Sequence, residues 1–271
     1  MSTCARRSPP LYPHRLPSEI DLHSHVLPGV DDGAGTLEES IAILRAAAGG
    51  GITRIAATPH VRADYPTSPD TMERGVDELN RAAREAGVPI EVLAGGELDI
   101  EYAAGLDDAT LARFGLGGNA AVLLLECPYY GWPLDLRDFV FRLGTRGFSV
   151  VLAHPERNPD VQADPELLRP LVDAGVLVQL TAASVDGRVG SSARHASRAL
   201  LDAGLAQLIA SDAHAPQVRA VGMAAAAAAV GDAALAQWLT EAVPAAVVSG
   251  SEVPARPNRA QRRLPGLRRR P

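Results

Sequence analysis

Two histidines two residues apart, His23 and His25, lie in Ile20-Asp21-Leu22-His23-Ser24-His25, and the acidic pair Asp31-Asp32 follows before Gly33. Successive side chains of a strand point to opposite faces, so the two imidazoles share one face. Imidazoles with a nearby carboxylate are the donor set of a divalent metal site. A single His-x-His is weak on its own, because a lone strand-end histidine is usually a satisfied polar residue. The rest of the chain adds weight. His60 ends Thr58-Pro59-His60, Glu97 follows Gly96, Glu126 closes the apolar run 121–125, and His154 closes the run 149–153. Asp212 and His214 end Ser211-Asp212-Ala213-His214, and Asp32 lies in the first loop. Of the 7 histidines, only His14 and His195 fall outside this pattern. Nine such groups exceed the needs of one ion and suit a cluster of two or three divalent ions sharing a bridging carboxylate.

The elements that must position these groups follow a regular beat. Strands are expected over 19–25, 54–60, 90–97, 121–126, 149–154, 176–180 and 206–212, each apolar in its interior. Between them run amphipathic stretches. Thr36-Leu37-Glu38-Glu39 reads as a capping box opening a helix to about residue 48, stopped by Gly49-Gly50-Gly51. Further helices are expected near 71–86, 108–113, 135–146, 191–203 and from Asp164-Pro165, with two Ala-rich helices at the end. Apolar strands alternating with helices indicate a parallel sheet covered by helices. Seven such units without a break suggest a closed barrel, with an open doubly wound sheet as the competitor. In both, ligands sit at the C-terminal strand ends, where the candidate groups fall.

Composition narrows the class. The 271 residues are 46% hydrophobic, enough for one barrel-sized core. No apolar run approaches the roughly 20 residues of a membrane span, and the N-terminus lacks the apolar core of a secretory signal. Two cysteines cannot form a disulfide framework, so a cytoplasmic protein is expected. All 26 basic residues are arginine. Ten of them lie in 1–18 and 254–271, which hold no acid, leaving 16 against 32 acids in the body. An acidic body is a poor nucleic-acid binder and suits a protein that collects cations. The Pro- and Arg-rich ends read as disordered tails around one domain at 19–253, and any membrane contact is expected only through the basic C-terminal tail.

The motifs Asp21-Leu22-His23-Ser24-His25, Thr58-Pro59-His60, Gly96-Glu97, Leu125-Glu126, Ala153-His154-Pro155-Glu156-Arg157 and Ser211-Asp212-Ala213-His214 resemble those of the PHP (polymerase and histidinol phosphatase) superfamily. Leu27-Pro28-Gly29-Val30-Asp31-Asp32-Gly33 and the His-Pro-Glu-Arg run are similar to its CpsB/CapC/YwqE branch, manganese-dependent protein-tyrosine phosphatases of bacterial exopolysaccharide systems. The resemblance covers roughly residues 20–250. It implies a distorted (β/α)7 TIM-like barrel with three divalent ions, manganese first, with iron or zinc also suited to the donors. It implies His23, His25, Glu97 and Asp212 on one ion, Glu97, Glu126 and His154 on a second, and Asp32, His60 and His214 on the third. Arg157 and Arg219 fall where the branch keeps phosphate-binding arginines. There are departures. The branch often has a second basic or imidazole residue directly after the His60 position, where this chain has Val61 and then Arg62. The strand-six end, Thr181-Ala182-Ala183-Ser184, lacks the asparagine often seen there.

The expected activity is phosphomonoester hydrolysis, with a metal-bridging hydroxide attacking phosphorus in line and the arginines stabilising the phosphoryl charge. The expected substrate is a phosphotyrosyl protein of a capsule tyrosine-kinase system, with a small phosphate ester such as histidinol phosphate as the alternative. A phenol leaving group has a pKa near 10 and needs little protonation, though His60 could assist. Cysteine-based phosphatase chemistry is excluded: the residues six after Cys4 and Cys127 are Pro10 and Pro133, where that chemistry needs arginine. A site bridged by carbamylated lysine is excluded because the chain has no lysine. Non-catalytic PHP modules typically lose ligands, and all nine positions are filled here. Tyr129-Tyr130-Gly131-Trp132, directly after Glu126 in a chain of 4% aromatics, is expected to line the mouth and stack on an aryl phosphate.

Overall fold

In the computed structural model the described residues are 19–215 and 221–257. The tail expected at 1–18, most of the basic tail and Arg219 therefore lie outside the described residues. Nine strands pair in parallel throughout: β1 (Glu19–Asp21), β2 (Ile52–Ala56), β3 (His60–Val61), β4 (Glu91–Leu93), β5 (Glu97–Leu98), β6 (Val122–Glu126), β7 (Ser149–Ala153), β8 (Leu177–Thr181) and β9 (Leu208–Ala210). They form sheets ordered β1-β2-β4 and β3-β5-β6-β7-β8-β9.

The nine strands occupy the seven expected positions, because two expected strands are each cut in two. Between β2 and β3 stands Pro59, which has no N–H for a ladder. Between β4 and β5 stand Ala94, Gly95 and Gly96. A Cβ on Gly96 would lie 2.7 Å from Phe114 Cδ1, so the kink needs glycine to let Phe114 approach. The ring closes past the end of β1. Asp212 N donates to His23 O at 2.8 Å, His25 N to Ala213 O at 2.8 Å, and Thr58 N to Ser24 O at 2.8 Å. The result is a distorted parallel barrel in which short ladders tie β1 to β2 and β2 to β4, and single backbone bonds carry the pairing past their ends.

Local sequence explains the helices that wrap it. Thr36 caps the helix Leu37–Gly49 by accepting from Glu39 N, while the Glu39 carboxylate accepts from Gly35 N at 2.7 Å. Ser68 caps Pro69–Glu85, with proline in the first turn; Met72, Val76, Leu79 and Ala83 are buried at helical spacing. This helix begins two residues earlier than its periodicity suggests because Ser68-Pro69 is itself a start signal. Helices Ile100–Ala104, Pro159–Ala163 and Ala182–Asp186 were not expected; five residues each are too few to show a period. Leu22, Ile43, Leu44, Ile55, Leu98, Leu123, Leu125, Val178, Leu180 and Leu208 belong to one continuous buried core. Each such side chain contributes about 1.5–3 kcal/mol. The described chain continues past residue 253 along the body: Trp238 Nε1 donates to Pro254 O at 2.8 Å and Arg256 Nη2 to Leu201 O at 2.6 Å.

Candidate metal centre

All nine singled-out imidazoles and carboxylates converge in one mouth, most of them at the C-terminal ends of strands. His23 and His25 follow β1, His60 opens β3, Glu97 opens β5, Glu126 ends β6, His154 follows β7, and Asp212 and His214 follow β9. His23 Nε2 and His25 Nε2 lie 3.2 Å apart, and each is 3.3 Å from Glu97 Oε2. Asp212 Oδ1 is 3.5 Å from His23 Nε2 and 3.3 Å from His25 Nε2. Glu97 reaches His154 Nε2 with Oε1 at 2.8 Å and His60 Nδ1 with Oε2 at 3.1 Å, so it stands at the centre. Glu126 Oε2 is 3.7 Å from His60 Nδ1, and Asp32 Oδ1 is 3.4 Å from His60 Nε2 and 3.3 Å from His214 Nε2. Four sets have donor atoms within 4.8 Å of one another: His25 with Asp32, His60 and His214; His23 with Glu97 and His154; His23 with His25 and Asp212; and His60 with Glu97 and Glu126. His154 and Asp212 hold left-handed backbone conformations, φ 38° and 52°, a cost that non-glycine residues carry mainly at functional sites.

The rings are aimed by partners behind them. His23 Nδ1 pairs with Gln179 Oε1 at 2.9 Å, His25 Nδ1 with Asp31 Oδ2 at 2.7 Å, and His214 Nδ1 with the Asp212 carbonyl at 2.9 Å. Each bond fits an Nδ1–H donor, which leaves the Nε2 lone pair facing inward. Asp31 Oδ2 also accepts from the His60 amide at 3.0 Å, and Oδ1 from Gly33 N at 3.0 Å. Burial opposes the charge on Asp31, but His25 and these amides hold its pKa below the usual range. Burial likewise opposes ionisation of Glu97, yet His23, His154 and His25 outweigh it and depress its pKa strongly. Glu126 goes the other way: burial and the neighbouring Glu97 charge raise it. On His60, burial disfavours the proton but Asp32 and Glu97 raise the pKa to about 9. Histidines in the metal-free protein thus hold protons where a divalent cation would serve better. The donor chemistry, convergence and burial fit such ions.

Comparison with known proteins places this geometry. Residues 19–241 match the family described as capsular polysaccharide synthesis, CpsB/CapC. The chain belongs to the CpsB/CapC family. It is 36% identical over 196 residues to the tyrosine-protein phosphatase YwqE of Bacillus subtilis, covering 72% of this chain and 77% of that protein. It is 26% identical over 207 residues to the tyrosine-protein phosphatase CpsB of Streptococcus agalactiae, covering 74% and 84%. A crystal structure from a study of YwqE of Bacillus subtilis and CpsB of Streptococcus pneumoniae, described as metal-dependent tyrosine phosphatases, superposes with a TM-score of 0.80 at 30% identity over 89% of this chain and 100% of that one.

Around this CpsB/CapC-type cluster stand groups that face outward. Arg157 pairs with Asp212 Oδ2 at 2.6 Å and donates to Thr181 Oγ1 at 2.9 Å and Tyr129 Oη at 3.3 Å. Tyr129 stacks on His154, ring centroids 5.9 Å apart and 24° from parallel. Of the aromatic loop, Tyr129 therefore reaches the mouth. Trp132 instead packs against the core and lines a groove with Leu136 and Leu167. Sequence reasoning passed over Asp31, Gln179, Tyr65 and Arg62. Asp31 had a signal, since an acidic pair offers two carboxylates and both proved useful. Gln179 sits inside an apolar strand run, where a buried amide asks for a partner. No helix among the described residues is long and apolar enough to cross a membrane.

Proposed function

We propose that this chain is a metal-dependent phosphatase that hydrolyses phosphotyrosine on a protein, in a capsule or exopolysaccharide tyrosine-kinase system. The observation that carries the reading is the convergence of nine imidazole and carboxylate donors in one mouth, in a family whose relatives include tyrosine-protein phosphatases. Three divalent ions, manganese first, fit the donor count. His23, His25, Glu97 and Asp212 would hold one, Glu97, Glu126 and His154 a second, and Asp32, His60 and His214 the third. When bound, such ions stabilise charge on phosphoryl oxygens and acidify water.

The chain's own residues do the rest. Asp31, Gln179 and the Asp212 carbonyl fix the tautomers of three rings before any ligand arrives. Arg157 presents a planar fork beside Asp212, suited to phosphoryl oxygens as charge spreads over them. Arg219, outside the described residues, is assigned the same role. Tyr129 offers an aromatic face at the mouth for a phenyl ring. His60, placed between Asp32, Glu97 and Glu126, serves as a ligand and can hold a proton for the leaving oxygen only while it is not ligating through that nitrogen. The test is turnover of a phosphotyrosyl peptide and of histidinol phosphate, side by side, with manganese and with chelator. Manganese-dependent turnover favouring the peptide is expected. Activity that survives complete metal removal would sink the mechanism, and a preference for histidinol phosphate would replace the substrate.

A further inference from the structure

The mouth carries two arginine–tyrosine units. One is Arg157 with Tyr129, described above. The other is Arg62 with Tyr65, of which the sequence marked Arg62 only as a departure from the family pattern. Arg62 follows β3 in a tight reversal in which Arg62 N donates to Tyr65 O at 3.0 Å and Tyr65 N to Arg62 O at 3.1 Å. The turn fixes where the guanidinium starts. Its Cζ lies 5.3 Å from the Tyr65 ring centroid, and that ring stacks on His60 at 5.8 Å and 19°. Nη1 faces both oxygens of Glu126, at 3.3 and 3.4 Å, and Nε lies 2.8 Å from Asp64 Oδ1. Each unit thus joins an arginine to a carboxylate of the cluster and sits beside a tyrosine stacked on a cluster histidine.

The two arginines differ in how tightly they are held. Arg157 sits 2.6 Å from Asp212, within the range of a strong charge-assisted bond. The Arg62–Glu126 contacts are longer than the roughly 2.7–2.9 Å such a bond prefers. The Arg62 side chain is 26% exposed against 13% for Arg157, so more of its five-donor fork is left accessible. An arginine meant only to neutralise Glu126 would be expected to close on it. This one is paired closely with Asp64 at 2.8 Å and only loosely with Glu126.

Resting on the phosphatase reading, we infer that Arg62 is a phosphate-contacting residue of this chain, donating to a phosphoryl oxygen from beside Glu126 as Arg157 does from beside Asp212. Tyr65 keeps the guanidinium stacked and in place. Val61, directly after His60, is buried, so the cation nearest His60 along the chain comes one residue later, from the turn.

The test uses the full chain loaded with manganese, and the Arg62→Gln and Arg62→Lys variants. Calorimetry measures binding of inorganic phosphate, metal analysis measures occupancy, and turnover gives KM for a phosphotyrosyl peptide. Arg62→Gln is expected to weaken phosphate binding and raise KM together by about tenfold or more, the loss one charged hydrogen bond carries, with metal occupancy unchanged. Arg62→Lys should recover only part, since an ammonium lacks the fork. Phosphate affinity unchanged in Arg62→Gln would overturn the inference. So would lost affinity that returns in full once extra manganese restores a depleted site, because Arg62 would then only brace Glu126. A wild-type protein that binds phosphate through Arg62 yet does not turn over the peptide would overturn the phosphatase reading and leave this one standing. A wild-type protein that binds no phosphate would overturn both.

Discussion

Asp31 does more for the site than its place beside a candidate ligand suggests. One carboxylate fixes His25 through Nδ1, holds the backbone of His60, and closes its own turn on Gly33. Removing its charge should therefore disturb two rings of the cluster at once. Asp31→Asn keeps the size but exchanges one acceptor for a donor, so His25 can keep its tautomer only by a weaker bond. Metal affinity is expected to fall by roughly 10–100-fold, the usual effect of losing such a partner, while the fold persists. Titration of the metal-free variant with manganese checks it, and wild-type affinity would refute the role. The ligands themselves were legible because histidine is rare in this chain and five of the seven sit at strand ends. Their supporting partners were not. Gln179 reaches His23 across 156 residues of sequence, and nothing local in an apolar strand marks that contact.

At the scale of elements, the loop after β1 shows how tightly the first ligands are tied to backbone. Ala34 N donates to His25 O at 3.0 Å and Gly29 N to Ala34 O at 2.8 Å, folding the loop onto the strand it leaves. Gly33 lies at the closest approach: a Cβ there would sit 2.1 Å from His25 O and 2.4 Å from His25 Cβ. These are main-chain and first side-chain atoms, which cannot swing away. Gly33→Ala must therefore push the loop off, carrying Asp31 and Asp32 from their histidines. The expected outcome is a loss of about 2 kcal/mol or more, as for other overpacked sites, together with reduced metal occupancy. Thermal melts of the metal-free variant and metal analysis measure the two effects, and a variant matching wild type in both would show that the loop relaxes freely. Barrel class and the seven strand positions were readable from the alternation of apolar runs and helices, though two positions hold two strands each. The splitting of the third strand position was not readable, because the Gly95-Gly96 kink acts through a neighbour distant in sequence, as the Phe114 contact shows; the break at Pro59 is local, from its missing N–H.

The whole molecule carries its charge in two buried places that respond differently to pH. Glu19, at the barrel end away from the cluster, is raised to about 7 by burial, Glu241 and Asp21. A raised carboxylate favours the native state while protonated, so its contribution is full below about 4.5 and is lost as pH rises to about 7. Glu19→Gln should thus stabilise the protein at pH 8, by on the order of 1–2 kcal/mol once solvent screening at the barrel end is discounted, and do little at pH 4. His60 titrates in a higher window. Its folded pKa of about 9 exceeds the ordinary 6.5, so the charged ring stabilises the metal-free protein below about 6.5, and that gain disappears as pH rises through about 9. Stability of the metal-free protein should therefore fall in two steps between pH 4 and 10. Metal ions would replace the His60 proton and bind only the folded state, which removes the upper step and raises the melting temperature. They make no contact with Glu19, so the lower step should survive metal loading and shrink in Glu19→Gln to the part carried by Asp21, whose pKa burial raises to about 6. Denaturant melts across this pH range, with manganese and with chelator, separate the two. An upper step that persists at saturating manganese would mean that at least one of His23, His25 and His60, all with raised pKa values, keeps its proton instead of binding the metal.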